Sequence, residues 1–230
     1  MKKIIIFGSS GVIGKRIRNK FKNNNFDVVS ISPTKKSKNS IFWPINESEK
    51  EVLNVLGKYG KFDSAVWAQG TNINDNIFNF NENSFTKVLE ANLSYILITL
   101  NILLKTKLLN KNAKLCIISS IWQEISKNNK LSYSISKSAL KGAINSLSID
   151  LGKKGHLINC ILPSAVSSKM TSKNLGKIGV DKLSKLTYFN KLININDIVE
   201  LAYFLCSDLN TSISGDFIKI DLGMSNGKII

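Results

Sequence analysis

The sequence predicts an α/β fold in which a parallel sheet of about seven strands is doubly wound, with helices on both faces. Three observations carry that prediction. Apolar, β-branched runs alternate with amphipathic helical stretches along the 230-residue chain. The first run ends in a glycine-rich turn that opens a helix. No linker, internal repeat or low-complexity tract divides the sequence, so one domain over residues 1–230 is expected. Parallel neighbours require crossover connections, and alternating strands and helices supply them.

The expected strands are KKIIIFG, FDVVSIS, SIFWPI, FDSAVWAQG, AKLCIISS, HLINCILP and DFIKIDLG, each rich in residues that suit a sheet buried on both faces. Helical patterns lie between them at 14–24, 47–58, 82–109, 131–152 and 195–207, the last opening on a plausible asparagine cap in NIND. The segment 167–194 shows neither period and reads as a mobile, substrate-side insertion.

Composition narrows the function classes. With 43% hydrophobic residues the chain can bury a sizeable core. No run of eighteen apolar residues occurs, and the N-terminal apolar run gives way to glycine too soon for a signal sequence or a membrane span, so a soluble, cytoplasmic protein without a membrane partner is expected. Cys116, Cys160 and Cys206 lie far apart among apolar neighbours and read as buried free thiols. One histidine, His156, offers no metal cluster, and its place at a turn entering a strand gives it a structural role. The formal charge of +16 raises the possibility of nucleic acid as a partner, but Arg16 and Arg18 are the only arginines and lysines are spread over nearly every surface segment. Solvated lysine-rich faces account for that pattern, and no nucleic-acid partner is expected.

The first strand-to-helix turn, GSSGVIG, places Gly8, Gly11 and Gly14 where backbone amides and a helix N-terminus can approach a pyrophosphate. Ser10, Val12 and Ile13 complete this candidate dinucleotide cradle. The second strand ends in Ser32 without the acid that normally accepts bonds from an NAD ribose, and Lys35 and Lys36 follow. These lysines either attract a 2′-phosphate or are two exposed loop cations. NADP(H) is accordingly favoured, with NAD(H) the alternative.

Chemistry points to LSYSISKSAL, where Tyr133 and Lys137 stand four residues apart on one helix face, so that an ammonium can act on a phenol. Taken together, the glycine turn, WAQG at 67–70, EANLSYI with Asn92, CIISS with Ser120 thirteen residues before Tyr133, YSISK, INCILPSAVSSKM and the C-terminal FLCSDLNTSISGDFIKIDLGMS resemble the short-chain dehydrogenase/reductase superfamily, in that order and over nearly the whole length. The likeness is nearest to 3-oxoacyl-[acyl-carrier-protein] reductases and their relatives. It implies a Rossmann-like domain and a tetrad in which Tyr133 is the general acid or base. Lys137 lowers the pKa of that tyrosine and holds the nicotinamide ribose, Ser120 orients the carbonyl oxygen, and Asn92 holds a water linking Lys137 to solvent.

The resemblance also assigns cofactor contacts to Ala68, Gly70, Tyr133, Lys137, Pro163, Val166 and Ser168. A homodimer or homotetramer is implied, with a small carbonyl or alcohol as substrate. Trp122, Gln123 and 167–194 either line its pocket or are ordinary loop packing. Some positions depart from the family pattern: GxxGxxG replaces TGxxxGxG, Trp67 and Ala68 replace paired asparagines, Pro44 stands where many relatives carry an aspartate near adenine, and Ser164 replaces a glycine. The expected function is carbonyl–alcohol interconversion by hydride transfer. The alternative is a catalytically silent NADP-sensing protein.

Overall fold

The computed structural model describes residues 1–34, 40–167 and 169–227. Seven strands form one sheet: β1 (Lys3–Phe7), β2 (Asp27–Ser32), β3 (Ile41–Phe42), β4 (Phe62–Trp67), β5 (Leu109–Ile118), β6 (Leu157–Pro163) and β7 (Phe217–Ile220). Their order is β3-β2-β1-β4-β5-β6-β7, and every pairing is parallel. The helices are α1 (Val12–Asn23), α2 (Glu49–Leu56), α3 (Glu82–Leu89), α4 (Tyr95–Lys105), α5 (Leu131–Gly152), α6 (Lys169–Ser184) and α7 (Ile195–Cys206).

Side chains alternate across each strand, so the sheet feeds two cores. Ile5 and Phe7 join Trp43, Trp67, Tyr95 and Leu140 on one face. Ile4 and Ile6 join Ile17, Phe21, Ile198 and Leu205 on the other. Phe7 stacks on Trp67 at 5.2 Å between ring centroids, and the buried indole Nε1 donates to Thr99 Oγ1 at 2.9 Å. The buried His156 accepts the Ala113 amide through Nδ1, a structural task, and all three cysteines are free and buried. The stretch Glu82–Lys105 has the length and hydropathy of a membrane span, yet here it lays Tyr95, Ile96, Leu100 and Leu103 on the sheet.

Four expectations change. The strand over SIFWPI shrinks to two residues, because after the Trp43 amide bonds Ser32 O at 3.0 Å, Pro44 has no N–H to continue the ladder. The helix expected over 82–109 is broken by a π turn at Glu90–Ser94 and stops at Lys105, with Lys107 turning at φ 54 and β5 starting at Leu109. The first helix begins two residues early, at Val12, and includes Gly14. The segment without a clear period, 167–194, holds α6, whose pattern is interrupted where Gly176 adopts φ 64.

Candidate active site

Winding reverses between β1 and β4, and a groove opens at their C-terminal ends. Gly8 follows Phe7 with φ 73, and a Cβ there would stand 2.5 Å from the Gln69 amide nitrogen. One on Gly14 would stand 2.2 Å from Gly8 O, so α1 can pack this closely on the turn only with a bare backbone. Gly11 caps α1 in an extended conformation without a side-chain bond, and the first turn carries no acid. The opening amides of α1 therefore stay available to an anion.

The groove holds about 520 Å³. Five of the residues expected to contact a cofactor, Gly8, Ser10, Gly11, Ala68 and Gly70, line it. Val12 is exposed at the start of α1, Ile13 packs on the core, and Ser32 is buried with its hydroxyl unpaired among the described residues; Pro33 and Thr34 after it reach the groove instead. Pro163 ends β6 opposite Ile220, and Val166 bridges to Ile193, which places both at the neighbouring strand ends. Lys35, Lys36 and Ser168 lie outside the described residues. The sequence reading missed Gln69, Thr71, Ile45, Lys87, Glu90, Ala91 and Tyr95, which also line the groove. Nothing in their spacing marks them, since they come from loops and a helix wall. A glycine cradle, uncapped amides and no carboxylate at the end of β2 suit a phosphate-bearing dinucleotide.

Beyond Gly70 the site changes from backbone to side chains. Ser120 ends the β5 crossover, where its Oγ donates to Pro163 O and accepts the Trp122 amide, both at 3.4 Å. Tyr133 and Lys137 come from the first turns of α5. Lys137 Nζ donates to Ile118 O at 3.2 Å and lies 5.8 Å from the centroid of the Tyr133 ring. A Cβ on Gly70 would come within 3.7 Å of that same ammonium, so the glycine lets the groove reach it. The Tyr133 residue keeps a partly exposed edge while its hydroxyl end is enclosed beside Ser120.

Asn92 sits in the π turn, fully buried. Its Oδ1 accepts the Thr71 amide at 2.8 Å, and its Nδ2 donates to Thr71 O at 3.0 Å and to Ser136 Oγ at 2.9 Å. The carboxamide thus clamps the loop after β4 against α5. A π turn at such a place widens one helical turn so that a side chain can leave the helix and serve a site.

The electrostatics differ from the sequence expectation that Lys137 makes Tyr133 more acidic. Burial pushes the phenol above its ordinary value, with the Ser120 hydroxyl pulling it only partway back. Burial also lowers Lys137 to about 8, with the Cys160 thiol acting the other way. Among the described residues Ile118 O is the one hydrogen-bond partner of this ammonium, and such enclosure disfavours its charge.

Comparison with known proteins agrees with this fold. A family model described as Enoyl-(Acyl carrier protein) reductase matches residues 46–225. A 3-oxoacyl-[acyl-carrier-protein] reductase of Buchnera aphidicola is 27% identical, covering 96% of both chains. An L-rhamnose 1-dehydrogenase (NADP(+)) of Thermoplasma acidophilum is 30% identical over 77% of this chain and 71% of its own. Among solved structures, a short chain dehydrogenase family protein from Francisella tularensis superposes with a TM-score of 0.85 at 26% identity, covering 99% of this chain and all of the other.

Proposed function

Since the chain belongs to the short-chain dehydrogenase/reductase superfamily, close to the 3-oxoacyl-[acyl-carrier-protein] reductases, we propose that it is an NADP(H)-dependent oxidoreductase interconverting a small carbonyl and its alcohol. The observation that carries the reading is the meeting of Ser120, Tyr133 and Lys137 just beyond Gly70, which lines the groove. The bound dinucleotide supplies or accepts the hydride. Reduction builds negative charge on the carbonyl oxygen, and Tyr133 Oη protonates it while the Ser120 hydroxyl donates a bond to hold it. In the oxidative direction Tyr133 Oη takes the alcohol proton. Lys137, close to Gly70, donates in this reading to a ribose hydroxyl and favours the phenolate.

NADP(H) is preferred over NAD(H) because β2 ends in Ser32, Pro33 and Thr34 with no carboxylate to repel a 2′-phosphate. The relative named for NADP(+) is in keeping with that choice. We read the enzyme as cytoplasmic, its three free thiols buried. It is read as a homodimer or homotetramer through α4 and α5, which expose Leu97, Ile98, Ile135 and Ile149. The test is NADPH oxidation over a carbonyl panel together with Tyr133→Phe. Turnover is expected to fall by about 10²- to 10⁴-fold while NADPH binding, read by fluorescence, is kept. Binding without turnover in the unaltered protein would favour the sensing role instead.

A further inference from the structure

A second lysine faces the candidate acid. Lys130 ends the loop before α5, and the residue is nearly covered, with 9% of its surface exposed. Its Nζ donates to Asn72 Oδ1 at 2.8 Å, Asn74 Oδ1 at 2.5 Å and Ile73 O at 3.3 Å, so each of its three protons has an oxygen. The same Nζ lies 5.9 Å from the Tyr133 ring centroid, matching the 5.8 Å of Lys137. None of its three bonds goes to a carboxylate, and Asp75 beside it is bonded to the Ser132 amide at 3.1 Å and to the Ser132 hydroxyl.

We propose that Lys130 is the second cation of the site, holding positive charge against the Tyr133 phenolate while it ties the loop after β4 to the start of α5. The proposal rests on the reading of Tyr133 as the acid–base group. Two lysines share the phenol but differ in solvation. Among the described residues Lys137 Nζ has one hydrogen-bond partner, Ile118 O, and burial lowers it to about 8. Lys130 is also lowered, by burial first and by Lys127 second, with Asp75 opposing. Its three oxygen partners favour the charged form. The other groups about this cluster are Ser120 from the end of β5, Cys160 of β6 beside Lys137, and Lys127 and Asp75 from the flanking loops. Of these, only Lys127 adds a further positive charge near Lys130.

A unit charge about 6 Å away, at an effective dielectric of about 40, moves a titration by about one pH unit. The experiment is an ultraviolet titration of tyrosinate, taken as the difference between each protein and its Tyr133→Phe counterpart, so that the other tyrosines cancel. It needs no substrate, so it reads the phenol even where the carbonyl panel of the proposed function gives no turnover. Lys130→Met is expected to raise the Tyr133 midpoint by up to about one unit, and Lys130→Arg, whose charge persists to higher pH than the lysine's, to leave it at or below that of the unaltered protein. Should Lys130→Met fail to fold, Lys130→Gln, whose amide still reaches two of the loop oxygens, carries the same expectation. Equal midpoints in the neutral variant and the unaltered protein overturn the proposal. So do equal shifts in the neutral variant and Lys130→Arg, since they would trace the effect to loop geometry.

Discussion

The two ends of the groove are built from different materials. At the β1–β4 end the surface is main chain: Gly8, Gly11 and Gly14 strip away side chains so that amides can be approached. At the β5–α5 end, beyond Gly70, it is side chain: Lys137 lies 5.8 Å from the centroid of the Tyr133 ring, Ser120 lies beside the phenol, and Lys137 is buried at 3% exposure. The first end is damaged by adding an atom and the second by removing a functional group or a charge. That difference suits the proposed function, in which a phosphate is held by many weak dipoles while a proton is moved by one titrating group.

The largest effect is expected where an atom is added. Gly14→Ala places a methyl 2.2 Å from Gly8 O, against backbone that has nowhere to move. Overpacking of this kind is expected to lower stability by about 3 kcal/mol. Affinity for NADPH should fall by at least about tenfold, since the turn and the start of α1 must separate. Denaturant unfolding and a fluorescence titration measure the two. A Gly14→Ala protein with unchanged affinity would mean that the cradle is not the phosphate site.

At the other end, removing a charge is expected to help the fold while ending the chemistry. Lys137→Met replaces a fully enclosed ammonium with an apolar chain of similar length. A stability gain of about 2 kcal/mol at pH 7 is expected, with loss of turnover. The pH dependence gives the sign. The folded-state pKa of Lys137 is lowered to about 8 from the ordinary 10.5, so the unfolded chain binds more protons between those values. Stability of the unaltered protein therefore rises with pH through that window, and the burial cost is fully present below about 8. The advantage of Lys137→Met should shrink as pH climbs towards 10.5. A constant gap across the window would mean that Lys137 is not buried as an ammonium.

The sequence announced these two ends unequally. Glycine spacing revealed the cradle because only a missing Cβ satisfies such contacts, and a rule about absence is visible in the letters. Tyr133 and Lys137 were legible from helical spacing, and Ser120 from its separation and the family resemblance. The π turn that presents Asn92 was hidden, since Glu90–Ser94 is composed like the helices on either side and its extra residue per turn is set by tertiary bonds to Thr71 and Ser136. Lys130 looked like one more surface lysine, because its partners Asn72, Ile73 and Asn74 lie more than fifty residues earlier in the chain. The short β3 was readable in principle from Pro44, but the apolar run before it outweighed that signal. Lys137's lowered pKa was likewise invisible, since spacing shows that two groups meet and says nothing about how deeply they are enclosed.

The smallest effect lies beneath the main-chain end, where a side-chain pair supports it. Trp67 stands where the family resemblance implies an asparagine, and its indole N–H donates to Thr99 Oγ1, which in turn donates to Tyr95 O at 2.7 Å. Thr99→Val keeps the shape and removes the acceptor, leaving a buried N–H unpaired at a cost of about 1 kcal/mol. The Phe7–Trp67 stack and the turn at Gly8 stay in place, so NADPH affinity is expected to hold within about twofold. Thermal unfolding and the same fluorescence titration separate the two quantities. A matching loss of affinity would mean that the cradle leans on this indole, and the division between a main-chain end and a side-chain end would have to be redrawn around Trp67.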